Sequence, residues 1–245
     1  MQKTISIKML AVFMTMVLVI GCVVGGTVAW LIAETDDVVN TFTFGNIKIV
    51  LDETKVDIEG NPLDKDGNPV TDIKDAERIT GGADEQNSYK LLPGASYLKD
   101  PKVTVEAKSE KCWLFVTVKE NIAFDDGKNG TFDEFIKYEV DDSVWTELKT
   151  EADGTKVYYR LVDYSEDSNQ VFDVLMSDSM GKQVTVDANL TDERIADLAD
   201  EPKPTLTFRA YAVQYSGFEP KDGETDETAA LNAWNQAYKE ANPTP

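Results

Sequence analysis

The chain has 245 residues, 42% of them hydrophobic, with 24 basic and 45 acidic side chains and no histidine. That length suits a single all-β domain. A formal charge of −21 sets the chain against nucleic acid and anionic membrane surfaces, and the missing imidazole excludes Ser-His-Asp and Cys-His nucleophiles and the H-E-x-x-H zinc helix.

Residues 1–8 carry Lys3 and Lys8 and no acid, and residues 9–33 carry no charge. A basic start, an apolar run and a small-residue exit are the parts of a secretory signal peptide. Thr27-Val28-Ala29 puts small residues at −3 and −1. The reading is therefore a signal peptide over 1–29 cut after Ala29, with cleavage after Ala33 as the second option. The alternative is an uncleaved apolar helix that anchors the protein in a membrane, because the run is long enough to span one. Gly21, Gly25, Gly26 and the abrupt acidic start at Glu34 favour cleavage. Val19-Ile20-Gly21-Cys22 has the outline of a lipobox, but the chain stays apolar as far as Ala33, unlike the start of a mature lipoprotein. Cleavage removes Cys22 and leaves Cys112 alone, so no disulfide forms within the domain. Cys112 sits in a dense apolar strand and reads as a small core residue.

Residues 30–40 form a flexible leader, and the domain proper covers 41–241. Thr41–Leu51 is strand-like, but Phe42 and Phe44 have the opposite parity to Ile47, Ile49 and Leu51. One strand face cannot hold both sets, which predicts a bulge or bend at Gly45-Asn46. Residues 52–88 are a polar, turn-rich insertion, expected to be mobile. In it Glu59-Gly-Asn-Pro and Asp66-Gly-Asn-Pro read as two successive turns of similar chemistry.

Strands are then expected at 88–92, 102–107, 112–119, 132–140, 144–148, 156–164, 171–175, 183–188 and 204–215. The 112–119 strand is apolar on both faces, as a central strand is. In the last strand Leu206, Phe208, Ala210 and Ala212 point one way and Thr207, Arg209 and Tyr211 the other. Short strands at this spacing, separated by turns, define an all-β sandwich or barrel. Two short helices interrupt it. Thr191 caps one, followed by Ile195, Leu198 and Ala199. Thr225 or Asp226 caps the other, with Ala230, Leu231, Trp234, Ala237, Tyr238 and Ala241 on one face. Residues 242–245 (Asn-Pro-Thr-Pro) read as a disordered tail.

The run Gly25-Gly26-Thr27-Val28-Ala29-Trp30, an acidic spacer, and Asn40-Thr41-Phe42-Thr43-Phe44-Gly45-Asn46-Ile47 resembles the TasA/camelysin family of Gram-positive bacteria. These are exported proteins whose signal peptides are cut by a dedicated, SipW-type signal peptidase. The likeness covers about the first fifty residues; the remainder agrees only in general character. It implies a jelly-roll β-sandwich secreted to the cell surface, often polymerised into matrix fibres. It also brings a metalloprotease label, for which this chain lacks the histidine ligands.

No catalytic constellation emerges, and the protein is expected not to be an enzyme. Calcium is the one small ligand the residues suggest, with candidate loops Asp64, Asp66, Asn68, Asp72 and Asp125, Asp126, Asn129, Asp133. Neither fits the EF-hand pattern. The functional expectation is self-association, or binding to other matrix or surface proteins, by β-strand addition of residues 34–51. Val38, Val39, Phe42 and Phe44 would be the anchors. A surface adhesin using exposed Trp113, Trp145 or Tyr215 is the first alternative, and a carboxylate hydrolase the second.

Overall fold

The computed structural model describes residues 46–80, 86–125, 127–179, 181–198 and 203–241, with side chains as far as Gln236. In chain order the strands are β1 (Ile49–Thr54), β2 (Arg78–Ile79), β3 (Ser96–Tyr97), β4 (Lys102–Val105), β5 (Cys112–Asn121), β6 (Ile136–Tyr138), β7 (Thr146–Thr150), β8 (Lys156–Val162), β9 (Gln170–Asp173), β10 (Val184–Val186) and β11 (Thr205–Gln214). The helices are α1 (Asp192–Ile195) and α2 (Asp226–Ala241).

All pairings are antiparallel. One sheet has the order β2-β1-β4-β9, a second β11-β5-β8-β7, and a small third β3-β10-β6. The first two pack face to face, so the protein is an all-β sandwich.

β5 explains the layering. Cys112, Leu114, Val116 and Val118 turn toward the first sheet and join Val103, Val105 and Val162 in the main core. Trp113 and Phe115 turn to the opposite face, where α2 lies on them. Each of residues 112–118 is buried, because the strand has a layer on both sides. α2 contributes Ala229, Ala230, Ala233 and Trp234. The three alanines let its backbone approach the sheet, and the Trp234 ring fills the remaining space, 5.4 Å from both Phe115 and Tyr211. The expected face of α2 shifts accordingly. Leu231 is only half-buried while Ala229 and Ala233 are covered, since Leu231 lies about 100° round the helix from Ala230. Ala237, Tyr238 and Ala241 fall beyond the described side chains.

Several boundaries also differ from expectation. Residues 88–92 make no strand. The Lys90 N–H donates to the distant Ile58 carbonyl (3.1 Å) and the Leu92 N–H to the Lys90 carbonyl (3.0 Å), so the backbone is satisfied by one long-range bond and a tight turn rather than a ladder. The expected 132–140 strand opens with a 3-10 turn, Phe132–Glu134, that buries Phe132. β1 starts at Ile49 and runs on to Thr54, so the insertion begins later than expected. The bend foreseen at Gly45-Asn46 lies at the border of the described residues.

Over its described residues the insertion is built on hydrogen-bonded turns. Asp57 Oδ1 accepts from the Glu59 and Asn61 N–H groups (2.9 and 2.8 Å), and Asp64 Oδ1 repeats this with Asp66 and Asn68 (2.9 and 2.8 Å). The two turns are chained in tandem, with Leu63 N–H donating to Lys55 O and Val70 N–H to Pro62 O, both 2.9 Å. Farther on, Arg78 donates to Asp52 Oδ1 (2.7 Å), Thr54 Oγ1 (3.0 Å) and Asp100 Oδ2 (2.9 Å). That fork fastens the end of the insertion to β1.

Candidate functional site

β11 carries the alternation read from its sequence. Leu206, Phe208, Ala210 and Ala212 face the sandwich interior. On the outer face Tyr211 and Val213 pack under α2, whereas Thr205, Thr207 and Arg209 are exposed. The extent of α2 is written into that face. Where the helix covers the sheet, opposite Phe115 and Trp113 of β5, the residues are apolar; opposite Thr117 and Lys119 they are polar.

The inner face has a second property. Its four residues on β11 are only half-buried, and so are Ile47, Ile49 and Leu51 beside and on β1. Across the same core Val103, Val105, Leu114 and Val116 are at most 1% exposed. β11 pairs with β5 alone. β1 pairs with β4 along Ile49–Asp52 and meets β2 only at Glu53 and Thr54. Among the described residues, then, β11 has no ladder partner along its outer side, nor has β1 over Ile49–Asp52. The two strands lie side by side. Among the described residues these two strand edges are thus left without ladder partners, with half-buried apolar side chains between them. Such a margin offers main-chain donors and acceptors together with alternating apolar contacts, the chemistry that receives an added strand.

The anchors expected in the donor, Val38, Val39, Phe42 and Phe44, lie outside the described residues, as do Cys22 and the cleavage candidates Ala29 and Ala33. Among the described residues no helix is long and apolar enough to cross a membrane.

The calcium loops can be placed. Asp64 is engaged by its own turn, and the backbone N–H of Asn68 is the chief cause holding its carboxyl below the ordinary range. Asp72 caps a 3-10 turn through the Lys74 N–H (3.0 Å) and pairs with Lys74 Nζ (2.7 Å). In the second loop Arg194 Nη2 donates to the Asn129 carbonyl and to Glu134 Oε2, each at 2.6 Å, and Asp133 accepts from Thr131 Oγ1. Asp126 is outside the described residues. Asp64, Asp66 and Asn68 share one turn, and among the described residues no three carboxylates or thiols gather as metal ligands.

Trp113 and Trp145 are buried, and each indole N–H donates to a carbonyl, of Phe218 (3.0 Å) and Asp173 (2.8 Å). Tyr215 stacks 5.6 Å from Trp113 with Lys111 over it. These rings build the domain rather than an exposed platform. Cys112 is fully buried, and burial raises its thiol pKa to about 11.

Shallow recesses occur among the described residues. One is lined by Pro62, Asp72, Ile73, Leu98 and Lys182, another by Glu139, Asp142, Trp145, Glu147, Tyr158 and Met176. The aspartates whose titration the structure displaces (Asp57, Asp64, Asp72, Asp133, Asp153, Asp187, Asp197) all move down. A general acid needs the opposite shift.

The class defined by this geometry is an all-β sandwich with a helix packed on the outer face of one sheet. Compared with known proteins, the chain matches no family model, no curated protein and no solved structure.

Proposed function

We propose that this is an exported surface or matrix component that acts by self-association and not by catalysis. Ile49–Leu51 of the expected 34–51 donor pair with β4 in their own domain, so the donor narrows to residues 34–45, which, freed by a dedicated signal peptidase, add as a strand to the β1–β11 margin of a second copy. The observation that supports this reading is the half-burial of the inward-facing Leu206, Phe208, Ala210 and Ala212 on a strand that, among the described residues, has no outer partner. Ten residues of β11 extend about 34 Å at strand rise, a length that 34–45 can match. Val38, Phe42 and Phe44 share one parity and would meet the apolar floor. Main-chain bonds would supply affinity and these side chains the register.

The test compares the protein cut after Ala29 with one lacking residues 30–40, by electron microscopy and size-exclusion chromatography. The first should form fibres or oligomers and the second a folded monomer. Equal assembly by both, or by neither, overturns the reading. A longer protein with a folded domain but no assembly would mean that the segment pairs with its own margin.

A further inference from the structure

Glu53, at the end of β1, holds two nitrogens on one carboxylate. Its Oε2 accepts from Lys99 Nζ at 2.7 Å and its Oε1 from Asn87 Nδ2 at 2.9 Å. The Asn87 amide is fixed at its other positions too. Nδ2 donates a second bond to the Thr54 carbonyl (2.8 Å), and Oδ1 accepts from the Val56 N–H (2.9 Å). Lys99 and Glu53 are sheltered, with side-chain exposures of 11% and 18%. Lys99 Nζ lies 5.3 Å from the centre of the Phe208 ring and 5.9 Å from that of Tyr89. An amine, a carboxamide and a carboxylate bridging them, in a pocket walled by aromatic rings, are the reactants and the proton carrier of an amide aminolysis.

We propose that Lys99 and Asn87 join in an intramolecular isopeptide bond, with Glu53 carrying the proton. Glu53 takes a proton from the Lys99 ammonium, and the neutral amine attacks Asn87 Cγ. The Val56 N–H already points at Oδ1, where negative charge develops in the tetrahedral intermediate, and acts as an oxyanion donor. Glu53 then passes its proton to Nδ2. The Cγ–Nδ2 bond breaks, ammonia leaves, and Nζ loses a second proton, which ammonia takes up as ammonium. One Nζ–Cγ bond forms, one Cγ–Nδ2 bond breaks, the carboxylate is regenerated, and no oxidant or reductant is required. Holding both reactants on one group supplies the proximity that makes such a step intramolecular. The ring wall limits the water that would compete. The crosslink would close the segment from Asn87 to Lys99, which includes β3 and the Pro93-Gly94 turn, with a covalent tie that Cys112, the one cysteine among the described residues, cannot provide.

The experiment is intact-mass and tryptic-peptide mass spectrometry of the folded full chain. The protein should be lighter by one ammonia than its sequence mass. Trypsin should leave Lys99 uncut and release a branched peptide joining residues 79–90 to 91–102. Ring closure at Asn129-Gly130 also loses ammonia, so the branched peptide and not the mass alone decides. Glu53→Gln, which keeps the shape and removes the proton carrier, should give the full mass and the linear peptides 79–90 and 91–99, with Lys99 cut. Linear peptides carrying unmodified Asn87 and Lys99 from the folded wild-type protein would show an ion pair only and overturn the proposal, whatever the variant does. Because this readout does not involve assembly, it is independent of the strand-addition reading.

Discussion

Gly60 holds φ at +80°, and a Cβ there would come 2.9 Å from Tyr97 Cδ1. Gly67, in the second of the tandem turns, has nearly the same φ of +82° but open space around it. The pair separates two effects. Gly67→Ala meets only the backbone strain of a left-handed residue, about 1 kcal/mol. Gly60→Ala meets that strain and a contact with an aromatic ring buried in the third sheet's cluster, for a total of about 2–3 kcal/mol. Urea unfolding of the two variants checks this; equal losses would mean that Tyr97 simply moves aside. The turns themselves were readable from Gly-Asn-Pro. What could not be read was the use of the Asp64 oxygens. A carboxylate that satisfies its own turn's N–H groups and one that waits for a cation give the same residues at the same spacing, and only the hydrogen-bond geometry separates them.

At the scale of elements, β5 and β11 were legible because their patterns are complete on both faces. An uninterrupted apolar run needs cover on both sides, and the change from Thr207 and Arg209 to Tyr211 and Val213 marks where α2 lies. The third sheet was less legible. β3 has two residues and β10 three, too few for an alternation to show, and their pairing joins Ser96 to Thr185, 89 residues further along the chain. α2 carries its own prediction. Trp234 is 1% exposed, and its indole N–H donates to Glu151 Oε1 at 2.7 Å, which ties the helix to the loop after β7. Trp234→Ala should cost about 3–5 kcal/mol. Trp234→Phe keeps most of the packing and loses the hydrogen bond, which should cost about 1–2 kcal/mol more than the small volume change alone. If calorimetry finds the two equally damaging, the hydrogen bond and not the packing holds the helix down.

At the scale of the molecule, the β1–β11 margin was not visible in sequence, because an edge is defined by which distant strands fail to pair. β1 finds β4, β4 finds β9 and β5 finds β11, and no local pattern announces that, among the described residues, β11 pairs on one side alone. The charge, by contrast, was visible from the outset and bears directly on assembly. Copies cut after Ala29 lose Lys3 and Lys8 from a chain of formal charge −21, so they are more negative still and repel one another, and Glu34, Asp36 and Asp37 place part of that charge on the proposed donor segment. Salt shortens the range of that repulsion, to about 10 Å at 0.1 M and about 3 Å at 1 M. Lowering the pH from 7 to 5 begins to neutralise ordinary carboxylates, whose pKa values lie near 4. Assembly that depends on the leader should therefore speed up with salt and with mild acid. The fold should not respond over the same window. Asp153, hydrogen-bonded to Lys119 Nζ at 2.6 Å, has its pKa lowered to about 2 chiefly by that contact. A carboxylate with a depressed folded-state pKa contributes its full stability above the unfolded value, near 4, and loses it only as the pH falls from there through about 2. Light scattering of the mature protein, followed between pH 7 and 5 with circular dichroism alongside, separates the two responses. Scattering that rises while the spectrum stays constant, and that vanishes when residues 30–40 are removed, is the expected result. Scattering that survives the truncation would be isoelectric precipitation, to be expected in any case close to the sequence pI of about 4.3, and would remove charge from the account of strand addition.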